Sequence, residues 1–209
     1  ASGGIELTVE RAGTREVITG AHLLAAAGRT PNTERLNLAA AGLAPDKRGF
    51  IPVNAQLETA VPGLFALGDV NGGPAFTHIS YDDYRILRDN WLGKGHPGTA
   101  GRLLPYTVFI DPQLGRVGLT EADARATGRP ITVKKIPMTY VARALESDDT
   151  RGFMKAVVDT ETDKILGAAV LGLEGGEVMS MIQLAMMGGL TATQLYNAVF
   201  AHPTLSEAL

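Results

Sequence analysis

The sequence contains no cysteine, and that absence excludes more than any residue present. Without thiols, these 209 residues can hold no disulfide framework, no thiolate metal site and no redox dithiol. Small secreted disulfide scaffolds are thereby excluded, and a cytoplasmic location is expected. Neither sign of charge dominates. The 19 basic and 22 acidic residues leave a net charge of −3, and no basic cluster is dense, so no nucleic-acid partner is expected. Long apolar runs are missing too. The longest, Ile165 to Leu173, is broken by Gly167 and Gly172 and falls far short of the roughly 18 residues of a membrane span. The opening Ala1-Ser2-Gly3-Gly4 has no initiator Met, charged n-region or apolar h-region, so it reads neither as a signal peptide nor as a native start. What remains is an ordinary globular balance, 45% hydrophobic and 20% charged, long enough for one large domain or two small ones.

Along the first half, Ile5-Glu6-Leu7-Thr8-Val9 alternates, Ala12-Gly13-Thr14 supplies a turn, and Glu16-Val17-Ile18 returns as a hairpin. His22 to Ala27 is expected as a short apolar strand, closed by Gly28-Arg29-Thr30-Pro31-Asn32. A second hairpin-like pair is expected around Asp46-Lys47-Arg48-Gly49. Leu64 to Leu67 is a continuous apolar run, as in a strand buried on both faces, and it stops at Gly68-Asp69. From about Thr77 to Leu92 the period becomes helical, with Ile79, Ile86, Leu87 and Trp91 near one face. Gly93, Gly95, Pro97 and Gly98 form a linker and place a domain boundary near residue 102.

Beyond it, strands are expected at Tyr106 to Phe109, Ile131 to Ile136, Phe153 to Val158 and Ile165 to Leu171, the last two as a hairpin. Thr120 with Asp123 resembles a capping box opening a short helix that ends at Gly128, and Thr191 with Gln194 caps another. Glu177 to Met187 is an apolar-rich helix. Strands and helices without regular βαβ alternation imply an α+β domain.

Three places could carry chemistry. Asp69 follows an expected buried strand and a glycine, which puts a carboxylate at the sheet edge where ligands of open α/β sheets bind. It could accept hydrogen bonds from a ribose or polyol, or simply close its own turn. The helix starting near Thr77 could aim its N-terminus at the same crevice, with His78 either a ligand contact or a gap filler. His202, in Ala201-His202-Pro203-Thr204-Leu205-Ser206-Glu207, has an acid/base reading with Glu207 as its carboxylate partner. Thr204 and Glu207 also spell a capping box, which would make His202 an ordinary loop residue. Met179, Met181, Met186 and Met187 sit at helical spacing and are expected in a core or subunit contact rather than on a metal. His22 and His96 have no companion at ligand spacing, so no metal site is expected. Asp82-Asp83 and Asp148-Asp149 are expected as solvated charges.

Taken in order, Ala26-Ala27-Gly28-Arg29-Thr30-Pro31-Asn32-Thr33, the run to Gly68-Asp69, Val117-Gly118-Leu119-Thr120-Glu121, and His202-Pro203-Thr204 with Glu207 resemble the class I pyridine nucleotide-disulfide oxidoreductases. Glutathione reductase, dihydrolipoamide dehydrogenase and mercuric reductase belong to that family. Phe76 to Arg85 and Asp149 to Ala156 are most similar to its mercuric-reductase-like branch, which includes the reactive-chlorine-resistance flavoprotein. The resemblance implies an α+β dimerisation (interface) domain over 103–209. Before it would come the C-terminal part of an FAD/NAD(P)-binding Rossmann-like α/β region: residues 1–27 as the tail of the NAD(P) domain and 28–102 as the return segment of the FAD domain.

By the same resemblance, Gly28 and Arg29 would lie near the nicotinamide nucleotide. Gly68 and Asp69 would hold the ribityl chain of FAD, and Ala75, Phe76, Thr77 and His78 would approach the flavin ring. The last domain would form a homodimer in which His202 and Glu207 enter the partner's active site as acid/base to the dithiol. The implied enzyme passes electrons from NAD(P)H through FAD to a disulfide or metal-ion acceptor. This chain departs from the pattern where the Gly-rich fingerprints and the Cys-x4-Cys pair should stand, so alone it is expected to be inactive. Residues 1 to about 102 are expected to be poorly ordered or to need further polypeptide. A non-catalytic dimerisation module and a dithiol-independent flavoprotein reductase are the alternatives.

Overall fold

The alternation of the first segment folds as β1 (Ile5–Arg11) against β2 (Thr14–Gly20), antiparallel from Ile5↔Gly20 to Arg11↔Thr14. The turn is two residues, Ala12 and Gly13, both with positive φ, which matches the right-handed twist of a hairpin and leaves Thr14 in the strand. The computed structural model describes residues 4–96 and 98–209. Pro97 of the glycine-rich linker and Ala1 to Gly3 lie outside the described residues. The chain divides into two units after Ala100.

In the first unit, two expected strands are absent. His22 to Ala27 has no regular structure, and Leu23 and Leu24 are exposed. A strand exists only through hydrogen bonds to a neighbour, and among the described residues none pairs with this segment. Leu64 to Leu67 likewise makes only an isolated bridge, Glu58↔Phe65. The expected pair around Asp46 is a turn without strands. Its carboxylate accepts the Arg48 and Phe50 amides at 2.8 and 2.9 Å.

The helical period does form α1 (Thr77–Trp91), which buries Ile79, Asp83 and Ile86; among the described residues, Ile51, Leu57 and Ala66 are the other buried apolar side chains of this unit. Trp91 ends exposed, its ring edge-on to Phe65. Asp83 is therefore not the solvated charge expected, and Asp82 is not fully solvated either: its side chain is 17% exposed and pairs with Arg85 at 2.6 Å.

The second unit is α+β. Strands β3 (Tyr106–Val108), β4 (Leu114–Gly118), β5 (Ile131–Pro137), β6 (Phe153–Asp159) and β7 (Ile165–Leu171) form an antiparallel sheet in the order β3-β4-β7-β6-β5. No sequence signal marks β4, since two of its five residues are glycine. Helix α2 (Glu121–Ala126) begins at a complete Thr120–Asp123 capping box, and Gly128 beyond it has φ 73°. A short α3 (Ala142–Glu146), α4 (Gly175–Met187) and α5 (Ala192–Tyr196) follow, the last with its own Thr191–Gln194 box. Along β6 and β7, Met154 pairs with Val170 and Ala156 with Ala168, so these pairs share a face with Val117. Val178, Met179 and Ile182 of α4 pack there, and Met138 and Val141 complete the core. This accounts for Met179, with Met186 packed beside it, while Met187 is exposed.

The Asp148-Asp149 pair also departs from expectation. Arg151 binds Asp149 at 2.8 Å and reaches Asp111 across 40 residues at the same distance. Chiefly through that Arg151 hydrogen bond, the Asp149 carboxyl is held below its ordinary range. A depressed carboxyl stabilises the fold above its unfolded pKa of about 4, and that contribution is lost as pH falls through the folded value. In Arg151→Gln this loss should be smaller. Urea midpoints measured from about pH 5 down to about pH 2 are expected to fall less steeply in the variant than in the parent.

Candidate functional site

Leu67 is extended, and Gly68 then turns with φ +72° into a short 3-10 segment, Gly68–Asn71, that ends at Gly72. Only glycine fits at 68, because a Cβ there would collide with the Ser80 hydroxyl on α1. Asp83, three residues further along the helix and 1% exposed, accepts the Gly68 amide on Oδ2 at 2.9 Å. The same oxygen accepts the Asn71 side-chain amide at 3.1 Å, and Asn71 also donates to the Ala66 carbonyl. Helix and turn are thus one body. On its outer side Asp69 presents a carboxylate that is 46% exposed.

Arg29 donates to Asp69 Oδ2 at 2.8 Å. Two residues far apart in sequence and assigned to different nucleotides therefore meet. Gly28 has φ +111° with open space where a Cβ would stand, so it offers backbone rather than a side chain. Ala75, Thr77 and His78 are exposed and Phe76 is half-buried. Phe76 occupies the N-cap position of α1, where its side chain supplies no acceptor, and its ring stacks on His78 with centroids 5.2 Å apart. The partial positive charge of this helix end is therefore not countered by a capping side chain.

Asp83 has no place in the sequence-level site. The signal was available: it lies four residues after Ile79 and three before Ile86, inside the apolar stripe, where a carboxylate needs partners.

In the second unit, His202 Nδ1 lies 2.9 Å from Glu207 Oε2 and 3.2 Å from Oε1. An ionised carboxylate only accepts, so in the neutral imidazole Nδ1 carries the proton and Nε2 keeps its lone pair. The imidazole is 69% exposed. Thr204 donates its hydroxyl to the Ala201 carbonyl at 2.8 Å and accepts the Glu207 amide at 3.3 Å. Half of the capping box is therefore present. The other half is not, because the Glu207 side chain turns to His202 instead. Ser206 donates to the Met181 thioether at 2.7 Å, and Leu205, Ala208 and Leu209 pack on the core, so the loop is anchored beside α4.

Among the described residues, no group of three or more His, Asp or Glu side chains could hold a metal ion. His96 Nδ1 accepts the Gly98 amide, and His22 stands exposed. No described helix is long and apolar enough to cross a membrane.

Two family models match the chain: pyridine nucleotide-disulphide oxidoreductase over residues 2–83, and the dimerisation domain of the same name over residues 104–209. The probable pyridine nucleotide-disulfide oxidoreductase RclA of Escherichia coli is 44% identical over 188 residues, covering 90% of this chain and 43% of that protein. A dihydrolipoyl dehydrogenase of Thermus scotoductus is 38% identical over 208 residues, covering 99% of this chain and 45% of its own length. The solved structure of the HOCl-induced flavoprotein disulfide reductase RclA from Escherichia coli matches with a TM-score of 0.87 at 40% identity, covering 97% of this chain and 46% of that one. The chain thus spans less than half the length of these relatives.

Proposed function

Because this chain belongs to the pyridine nucleotide-disulphide oxidoreductases, we propose that it serves as the C-terminal part of a homodimeric, FAD-dependent enzyme. That enzyme moves electrons from NAD(P)H to a small disulfide or a metal-ion acceptor. The observation that carries this reading is the His202–Glu207 pair, whose Nδ1 contact leaves Nε2 free to take a proton.

The residues of the first unit fit a flavin nucleotide. Asp69 is an exposed acceptor on a rigid turn, suited to the hydroxyls of a polyol chain. The uncapped start of α1 favours negative charge beside Thr77 and His78. Gly28 leaves room for a nucleotide to approach backbone, and Arg29 steadies the Asp69 carboxylate. When bound, flavin supplies the two-electron relay between a nicotinamide hydride and a disulfide.

The dithiol is not among these residues, which contain no cysteine. The task of His202 is to accept a thiol proton at Nε2, leaving a thiolate, and to return it when the thiol re-forms. Glu207 fixes the tautomer that permits this. These 209 residues by themselves are expected to be redox-inactive.

The test uses the full-length protein. It should show flavin absorbance and reduce a small disulfide at the expense of NAD(P)H. Asp69→Ala removes a charged acceptor worth about 1.5–3 kcal/mol, so FAD should bind about ten- to a hundredfold more weakly by equilibrium dialysis. A full-length protein without flavin absorbance would overturn the reading.

A further inference from the structure

The turn that carries Asp69 has a second carboxylate on its inner side, and no ligand can reach it. We propose that Asp83 is a positioning residue for the flavin site: it locks the Gly68–Asn71 turn to α1, so that Asp69 and the start of that helix face one ligand in a fixed geometry. The proposal rests on the flavin reading given above.

A carboxylate at this position is costly to keep. Ile79 and Ile86 flank it on the same helical stripe, and an aliphatic side chain would pack there without losing hydration. An aliphatic side chain would, however, leave the Gly68 amide and the Asn71 amide without the oxygen they share. The Gly68 amide immediately precedes Asp69, so any slack there displaces the outward carboxylate directly. Ser80 closes the other side: its hydroxyl stands where a Gly68 side chain would be, so the turn cannot roll towards the helix. Ser80 and Asp83 are one turn apart on α1 and grip the same glycine.

The ligand-binding parts are the outer edge of the turn and the first residues of the helix. Asp83 is neither; it sets the distance between them. Its loss should therefore act on how tightly FAD is held, and it should leave the proton chemistry of His202 intact.

The experiment uses the full-length protein loaded with FAD. FAD release into excess apo-acceptor flavoprotein is timed well below the melting temperature, alongside far-UV circular dichroism. Asp83→Leu, which fills the volume without an acceptor, should speed release about tenfold or more. Asp83→Asn keeps one acceptor oxygen and should restore release to within about threefold of the parent. A merely structural role would lower the melting temperature and leave low-temperature release unchanged. Wild-type release in a folded Asp83→Leu protein therefore overturns the proposal.

If the leucine variant does not fold, Asn71→Ala decides, because it removes one of the two donors. Release about threefold faster supports the lock, and unchanged release overturns it. Loss of FAD in Asp69→Ala with unchanged release in the Asp83 variants would sink this proposal alone. A parent protein that binds no FAD would sink the flavin reading with it.

Discussion

Replacing His202 by Gln in the full-length protein is expected to slow disulfide turnover by about 10²- to 10⁴-fold while FAD stays bound. Gln has a similar size but cannot exchange a proton near neutral pH. The imidazole stands outward with Nδ1 tied to Glu207, which leaves Nε2 as the one ring atom able to accept a proton. Glu207→Gln probes the tie itself. An amide can donate as well as accept, so Nδ1 can become the acceptor and Nε2 the protonated atom. For Glu207→Gln alone, a drop of about ten- to a hundredfold relative to the parent is expected from that loss of tautomer control. The two substitutions together should cost little more than His202→Gln alone, because they disable one unit. Stopped-flow reoxidation of the reduced enzyme measures all three. Parent-like rates in His202→Gln would remove the acid/base role.

The second large effect concerns stability. Gly115 of β4 faces the start of α4, and a Cβ there would collide with the Gly175 carbonyl and lie 2.7 Å from the Met179 Cβ. Gly176 makes a similar close approach to Thr107 on β3. The helix therefore lies on the sheet through glycine contacts, with backbone at Gly115 and with the Thr107 side chain at Gly176, and Val178, Met179 and Ile182 pack into the core at that spacing. Gly115→Val forces the layers apart or the strand out of register. Overpacking of this kind costs about 3 kcal/mol, and at about 4–8 °C per kcal/mol for a unit of this size the melting temperature should fall by about 12–24 °C. A scanning calorimetry midpoint within a few degrees of the parent would show that β4 and α4 are not in backbone contact in solution.

Much of the second unit could be read from local signals. The capping boxes at Thr120 and Thr191 involve side chains and amides three residues apart, so the structure realises them as written. The β6–β7 hairpin follows from two apolar runs joined by a short polar turn. Strand β4 carries no local signal because its glycines answer to distant neighbours: Gly115 to the start of α4, and Gly118, with positive φ, to the Leu166 and Gly167 backbone of β7. In the first unit, the apolar runs at 22–27 and 64–67 look like strands because they are hydrophobic, but hydrophobicity does not supply a neighbour. The helical period of α1 is plain in the sequence, but the burial of Asp83 within its stripe depends on partners, Gly68 and Asn71, that lie outside the helix.

The paired site residues show the same boundary. Both His202 and Glu207, and both Arg29 and Asp69, were recognisable singly from their motifs. That Glu207 turns to His202 instead of closing its capping box is a competition between two donors, the His202 ring and the Thr204 amide, for one carboxylate, settled by how the anchored loop is held.

By itself the sequence determined that this chain carries no dithiol, that its second half is an α+β unit, and to which oxidoreductase family it is related. Composition, short-range hydrogen bonding and ordered motifs suffice for those conclusions. Only the tertiary structure decided that Asp83 is buried beneath the Gly68-Asp69 turn and that glycines seat α4 on the sheet. Both depend on atoms brought together from distant parts of the chain, where burial turns an ordinary carboxylate or a missing side chain into a constraint on its neighbours.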